Sequence, residues 1–316
     1  MPLIKVITDI VNPQIGDKIY DPAVGSCGFL IEAYNHIRYE NIKENKQRDL
    51  STQQLRFLSE DTFFGNEKTP LSYVMGVMNM ILHGVESPNI SKTNTLTKDI
   101  RGLEEKERYD CILANPPFGG KEKEQIQQNF PIKSNATELL FLQHMMNSLK
   151  LGGKCGVVIP EGVLFQTNNA FQSVKKDLLE RFNVHTILSL PSGVFLPYSG
   201  VKTNVIFFDR NGSTSDIFYY EVNPPYKLTK NKPINYDHFK EFLDVWSERK
   251  ETENSWIVNV NDIKDFDISA KNPNKNEKIE HKSPIELVEN IKDNNKEIND
   301  LMDEIELILI GKDINE

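Results

Sequence analysis

The sequence predicts an α/β fold: a doubly wound, mostly parallel sheet with an antiparallel end strand, plus a C-terminal helical tail. Two observations predict it. Up to about residue 210, short apolar runs alternate with segments of helical periodicity, as successive βαβ units require. Beyond that point two β-rich runs adjoin with no helix between them, and a heptad-spaced stretch closes the chain.

The elements follow in order. Residues 17–22 (DKIYDP) form the first strand candidate, and a glycine-bearing turn leads into a helix after Gly28. The second strand candidate is 61–67 (DTFFGNE). Pro70 to His83 reads as a helix with Leu71, Val74, Met75, Met78 and Leu82 on an i, i+3, i+4 stripe, and Met75, Met78 and Met80 read as core. A strand at 109–118 (YDCILANPPF), a helix over Glu138 to Lys150, a strand at 154–160, a helix over Asn168 to Arg181 and a strand at 184–191 continue the alternation. The runs KTNVIFFDR and DIFYYEV are expected to pair antiparallel at one end of the sheet.

The tail is different in kind. Ser283-Pro284-Ile285-Glu286 is a helix start, with Ser as cap, Pro at the first position and Glu at the third. Leu287, Ile291, Asn294, Ile298, Leu301, Ile305 and Ile308 then follow an a/d seam with one polar Asn. Such a helix either packs on its own domain or binds a partner. The expected division is 1–212 for the α/β domain, 213–282 for an extension and 283–316 for a partner-contact helix.

A chain of 316 residues can hold one large α/β domain with an appendage. No run of about 18 apolar residues is present, so no membrane-spanning helix is expected, and the first residues lack signal-peptide features. Cys27, Cys111 and Cys155 are far apart, with no CxxC pair. They read as buried thiols of a cytoplasmic protein, not as zinc ligands. His83 and His144 have no ligand spacing, so no metal is expected. The net charge of −9 is unusual for a protein that holds DNA unaided, because Lys and Arg contacts to phosphate supply most non-specific affinity. Action on DNA would need a local basic surface or a partner.

Three segments carry chemistry. Asn115-Pro116-Pro117-Phe118 ends an apolar strand, where open α/β sheets bind ligands. The prolines fix φ and offer carbonyls without N–H groups, Asn115 adds a side-chain carbonyl, and Phe118 adds a flat apolar face. That set suits a planar ring bearing an exocyclic NH2: acceptors take the N–H bonds while the aromatic stacks. Asp21-Pro22-Ala23-Val24-Gly25-Ser26-Cys27-Gly28 follows the first strand and opens a helix. Its acidic strand end suits a cationic ligand better than a pyrophosphate. Glu67, ending the second strand, can accept both hydroxyls of a ribose. The loop KEKEQ (121–125) reads as solvated.

In this order the segments resemble motifs I, II and IV of the amino-methyltransferases. The wider set DPAVGSCGFL, GNEKTPLSYVMGVMNMILHG, ILANPPFGG, ATELLFLQHMMNSLKLGGKCGVVIPEGVLF and LPSGVFLPYSGVKTNVIFF is similar to the modification subunit of type I restriction systems, from about residue 2 to 210. The resemblance implies a sheet of the S-adenosylmethionine-dependent methyltransferase type and methylation of adenine N6 in duplex DNA, with the target base flipped out. It also implies a specificity subunit that reads the sequence, and a motor-nuclease subunit that joins the complex. By it, Asp21, Pro22, Ala23, Gly25, Ser26 and Gly28 shape the cofactor pocket, Glu67 holds the ribose, and Asn94 lies near the cofactor's adenine. Asn115 and Pro116 accept the target amino group, Asn115 also bordering the cofactor. Pro117 stiffens the loop, Phe118 stacks on the base, Phe195 is a second wall, and Glu138-Leu139-Leu140 open a helix lining the pocket.

The chain departs from that pattern in three places. Cys27 and Asn94 stand where the family commonly has Gly and an acidic residue. The family also has an N-terminal helical domain and a Phe/Tyr-Thr-Pro segment over the cofactor's methionine end, whereas this sequence starts at Met1-Pro2-Leu3-Ile4, inside the helix that follows. The expectation is weak cofactor binding and poor methylation by this polypeptide alone. Two alternatives stay open: a truncated scaffold subunit, or a methyltransferase acting on a protein glutamine amide.

Overall fold

A computed structural model describes residues 2–43 and 50–274, together with positions 288, 291, 292, 294–296, 298, 299, 301–303 and 305 of the C-terminal segment. In chain order the elements begin with α1 (Pro2–Val11), β1 (Ile19–Asp21), α2 (Gly28–Lys43), α3 (Thr52–Glu60), β2 (Phe63–Glu67), α4 (Pro70–Leu82), β3 (Asn89–Lys92) and β4 (Tyr109–Ala114). Then come α5 (Glu124–Gln127), α6 (Thr137–Ser148), β5 (Leu149–Pro160), α7 (Glu161–Phe165), α8 (Asn169–Arg181), β6 (Asn183–Ser189), β7 (Thr203–Asp209), β8 (Asp216–Glu221), α9 (Lys240–Trp246) and β9 (Ser255–Asn259). Helix starts are set locally. Ser51 and Gln54 form a capping box at α3, Pro70 occupies the first turn of α4, and Asn168 accepts the Phe171 N–H at α8.

The nine strands form one sheet in the order β3-β2-β1-β4-β5-β7-β6-β8-β9. The pairs β1–β2, β1–β4, β2–β3, β4–β5 and β6–β8 are parallel; β7 is antiparallel to both β5 and β6, and β9 is antiparallel to β8. The carboxyl ends of β1 to β6 and of β8 therefore share one edge, where ligands bind in open α/β sheets. Both faces are covered. Along β7, Val205 and Phe207 enter one core with residues of α1 and α2, while Ile206 and Phe208 enter the other with residues of α6 and α8. A strand apolar on both faces belongs in a sheet interior.

That rule corrects one expectation. The runs 202–210 and 216–222 do not pair with each other. The doubly buried β7 is paired on both sides, by β5 and β6, and β8 lies beyond β6. Strand β9 and helix α9, drawn from the polar stretch after residue 223, complete this end.

A second correction concerns α4. Leu71, Val74, Met75, Met78 and Leu82 are between 50 and 80 % exposed, whereas Gly76 and Met80 are buried and Tyr73 and Val77 are half-buried against the core. The helix is apolar nearly all round, so periodicity could not choose its inner face; close approach at Gly76 chooses it. Met75 and Met78 are thus not core residues, while Met80 is. The 121–125 loop is also more structured than its composition suggests: Lys121 pairs with Ala136, and α5 follows.

The chain divides into two compact units, Met1–Asn274 and Lys275–Glu316. In the second, the described positions between 288 and 305 are helical, and Ile291, Ile298, Leu301 and Ile305 of the seam are roughly half exposed. Ser283, Leu287 and Ile308 lie outside the described residues. Among the described residues no helix is long and apolar enough to cross a membrane.

Candidate active site

The loop after β1 is tied to the ends of β2 and β3. The Gly25 N–H donates to Glu67 Oε2 (3.0 Å), the Val24 N–H donates to the Asn66 carbonyl (3.1 Å), and Thr95 Oγ1 donates to the Pro22 carbonyl (2.5 Å). The second Glu67 oxygen, Oε1, accepts the Thr69 N–H (2.7 Å). The carboxylate is thus oriented by two backbone donors, and each oxygen keeps a lone pair for another.

Asp21 ends β1 fully buried, its Oδ1 accepting the Ala23 N–H (2.9 Å). Burial raises its carboxyl from the ordinary 3.8 to about 7, the Ala23 hydrogen bond opposing and the Glu67 charge adding to the rise. Cys27 adopts a left-handed conformation (φ 62°), one that favours glycine. Its thiol is driven up to about 12 by burial and by the charges of Asp21 and Glu67, so it stays protonated. Helix α4 backs this loop: Asn79 Nδ2 donates to the Ser26 carbonyl (2.8 Å), and Gly76 lies against Cys27 and Gly25.

A cleft of about 490 Å³ opens at the strand ends. It is lined by Pro22 and Ala23 after β1, Glu67 at the end of β2, Asn94 after β3, and Asn115 and Pro117 after β4. Residues from four loops that sequence reasoning had picked out separately thus meet on one cavity. Asn115 and Pro117 are exposed and Pro116 is buried. Phe118 and Phe195 are both partly buried against the core on the α1–α2 side of the sheet. Asn94 caps a short 3₁₀ turn, its Oδ1 accepting the Leu96 N–H (3.2 Å). Gly25 reaches the site through Glu67, and Ser26 is held by Asn79. Gly28 lies inside α2, where its Cα faces Ile4 of α1. Helix α6 contributes Thr137 and Phe141 to the lining, the residues immediately before and after the expected Glu138-Leu139-Leu140.

Sequence reasoning missed a buried polar chain behind the cleft. Asn66 Nδ2 donates to the Tyr20 hydroxyl (2.8 Å), which is 3.0 Å from His144 Nε2. Tyr20 and His144 thus share one hydrogen bond deep in the protein, and His144 Nδ1 is buried without a partner among the described residues. Burial, and then the Lys98 charge, push His144 down to about 3, keeping the ring neutral. A buried tyrosine beside Asp21 needs a partner for its hydroxyl, and that need was the available signal. His83 Nδ1 lies 2.8 Å from the Asn79 carbonyl.

The donor set fits a cationic nucleoside. Glu67, a ribose-suited carboxylate, and Thr137, whose Oγ1 is buried and unpartnered among the described residues, line the cavity, and the buried acid Asp21 adjoins the lining residue Pro22 in the chain.

Residues 1–283 match the model of the N-6 DNA Methylase family. The chain is 35 % identical over 320 residues to the methylase subunit of the type I restriction enzyme EcoEI of Escherichia coli, covering 96 % of this chain and 63 % of that one. A solved structure addressing complex assembly of a type I restriction-modification system superposes with a TM-score of 0.81 at 45 % identity, covering 98 % and 65 % of the two chains. The EcoKI M protein superposes with a TM-score of 0.69 at 32 % identity, covering 78 % and 52 %. The chain thus spans just under two thirds of the EcoEI subunit's length. With the family model matching most of its residues and this order of strand-end motifs on one cleft, the chain belongs to the N-6 DNA methylase family.

Proposed function

We propose that this chain transfers a methyl group from S-adenosylmethionine to N6 of an adenine in DNA, as the methylation subunit of a type I restriction-modification complex. The observation that carries this reading is the shared cleft: Asn115 and Pro117 line one cavity with Glu67 and with Pro22, which follows the buried acid Asp21.

S-adenosylmethionine, when bound, supplies an electrophilic methyl group on a sulfonium. The protein's task is to prepare the acceptor. The amino lone pair of adenine is delocalised into the ring and attacks poorly. Asn115 Oδ1 and the Pro116 carbonyl, accepting the two N–H bonds from outside the ring plane, favour a pyramidal nitrogen whose lone pair is free to attack. With the methyl group supplied by the bound sulfonium, one amino proton would leave to solvent after transfer, so no base is needed beforehand. Rate enhancement rests on positioning and fixed dipoles. Phe118 would stack on the extruded base, and Phe195 would form a second wall. Glu67 would accept the ribose hydroxyls, and ionised Asp21 would favour the positive end of the cofactor.

The specificity subunit would read the DNA sequence, with residues 283–316 as a partner-contact helix, and a motor-nuclease subunit would join the same assembly. Calorimetric titration of S-adenosylmethionine into the chain tests the cofactor half. Saturable binding that Asp21→Ala abolishes supports it, and binding of equal strength in both proteins contradicts it.

A further inference from the structure

The net charge of −9 leaves open how an acidic chain grips a polyanion, and two loops on the sheet edge that carries the cleft bear on this. Residues 190–202 follow β6 and residues 222–236 follow β8, and both strands deliver their carboxyl ends to the edge that carries Asn115. The Val222 N–H donates to the Ser189 carbonyl (3.0 Å), fixing where the two loops start. They then touch: a Cβ on Gly193 would meet the Leu228 carbonyl at 3.3 Å. Together they hold four lysines, Lys202, Lys227, Lys230 and Lys232, and no aspartate or glutamate.

The second loop is an ordered platform. Leu228 and Ile234 are buried, and Thr229 and Lys232 exchange backbone hydrogen bonds (3.2 and 3.1 Å), so Lys230 sits at the tip of a tight turn. Lys232 lies over the Tyr226 ring (5.9 Å to the centroid). Lys227, Lys230 and Lys232 are exposed, and none has an ion-pair partner among the described residues. The first loop presents Phe195 and, 94 % exposed, Tyr198.

We propose that the 226–232 turn is a phosphate-contact arm that holds duplex DNA beside the extruded base. Three cations on a fixed turn that begins with Tyr226 and is free of acids match a phosphodiester backbone. Their place after β8 puts that backbone on the same edge of the sheet as the cleft. The inference rests on the reading of the chain as a DNA enzyme and gives it a sequence-independent grip of its own.

The test is fluorescence anisotropy of a labelled duplex with the full chain and with the combined Lys227→Ala, Lys230→Ala, Lys232→Ala variant, across about 50 to 200 mM salt. The variant is expected to bind roughly tenfold more weakly at low salt, with a salt-dependence slope shallower by about 2.7, or about 0.9 per lost contact. The corresponding triple Lys→Arg variant is expected to restore both values, and S-adenosylmethionine affinity is expected to stay unchanged. A wild-type slope in the alanine variant overturns the arm alone. Wild-type protein that binds S-adenosylmethionine but shows no salt-dependent DNA binding overturns the DNA reading, and the arm with it.

Discussion

Gly76→Ala sets two physical effects against each other. Alanine is a better helix former than glycine by about 1 kcal/mol, so propensity alone would stabilise α4. In the structure, however, the new Cβ would lie 2.8 Å from Cys27 Sγ and 2.8 Å from the Gly25 carbonyl oxygen. The second neighbour is backbone and cannot rotate away, so the cost is that of overpacking, about 1–3 kcal/mol. The net effect is a loss of up to about 2 kcal/mol, which at about 2–4 °C per kcal/mol lowers Tm by several degrees. Relief comes from shifting the Gly25–Cys27 loop, which withdraws the Gly25 N–H from Glu67 Oε2. A hydrogen bond to a charged group contributes about 1.5–3 kcal/mol, so the Kd for S-adenosylmethionine should rise on the order of tenfold or more. Thermal unfolding and calorimetry read the two effects, and Cys27→Gly in the same background should recover part of both. A raised Tm with unchanged Kd would refute the close approach of α4 to the cofactor loop.

Other expectations follow from the same geometry. Asp21 has a folded-state value near 7, above that of an unfolded chain, so its burial penalty is absent below about pH 4 and grows as pH rises to about 7. Asp21→Asn keeps an acceptor for the Ala23 N–H and should therefore melt above wild type at pH 8 but level with it at pH 4; an equal offset at both values would contradict this. In the wild type, S-adenosylmethionine affinity should strengthen as pH rises through about 7, and Asp21→Asn should flatten that profile. Tyr20→Phe strands Asn66 Nδ2 and His144 Nε2, costing about 1–3 kcal/mol by denaturant unfolding, and a neutral ΔΔG would remove the buried chain as a support of the site. Asn115→Ala should cut kcat for methylation on the order of a hundredfold or more with S-adenosylmethionine affinity largely retained; loss of binding without loss of kcat would assign it elsewhere.

The sheet was legible because strand and helix periods alternate cleanly up to β6, and because Asp21, Glu67 and Asn115 each end a strand. Their meeting on one cleft follows from parallel pairing, which sequence order implies. What stayed hidden depends on partners distant in sequence. The pairing of β7 was hidden because an all-apolar run does not say which strands flank it. The inner face of α4 was hidden because Leu71, Met75 and Met78 are as apolar as Tyr73, Val77 and Met80, and only contact with Cys27 decides between them. The hydrogen bond from Tyr20 to His144 spans 124 residues, and no local pattern announces it. The lysines of the 226–232 turn were visible as residues, but the contact of that turn with Gly193 requires the β6–β8 pairing.

The most direct test of methyl transfer to adenine uses methyl-labelled S-adenosylmethionine and duplex DNA, with the chain supplied with its specificity subunit. The DNA is then digested to nucleosides and analysed by mass spectrometry. Label in N6-methyldeoxyadenosine, absent with Asn115→Ala, is the expected result. Label in deoxycytidine or in protein, or equal labelling by the Asn115 variant, would contradict the assignment of the Asn115–Phe118 loop as the site that prepares the adenine amino group.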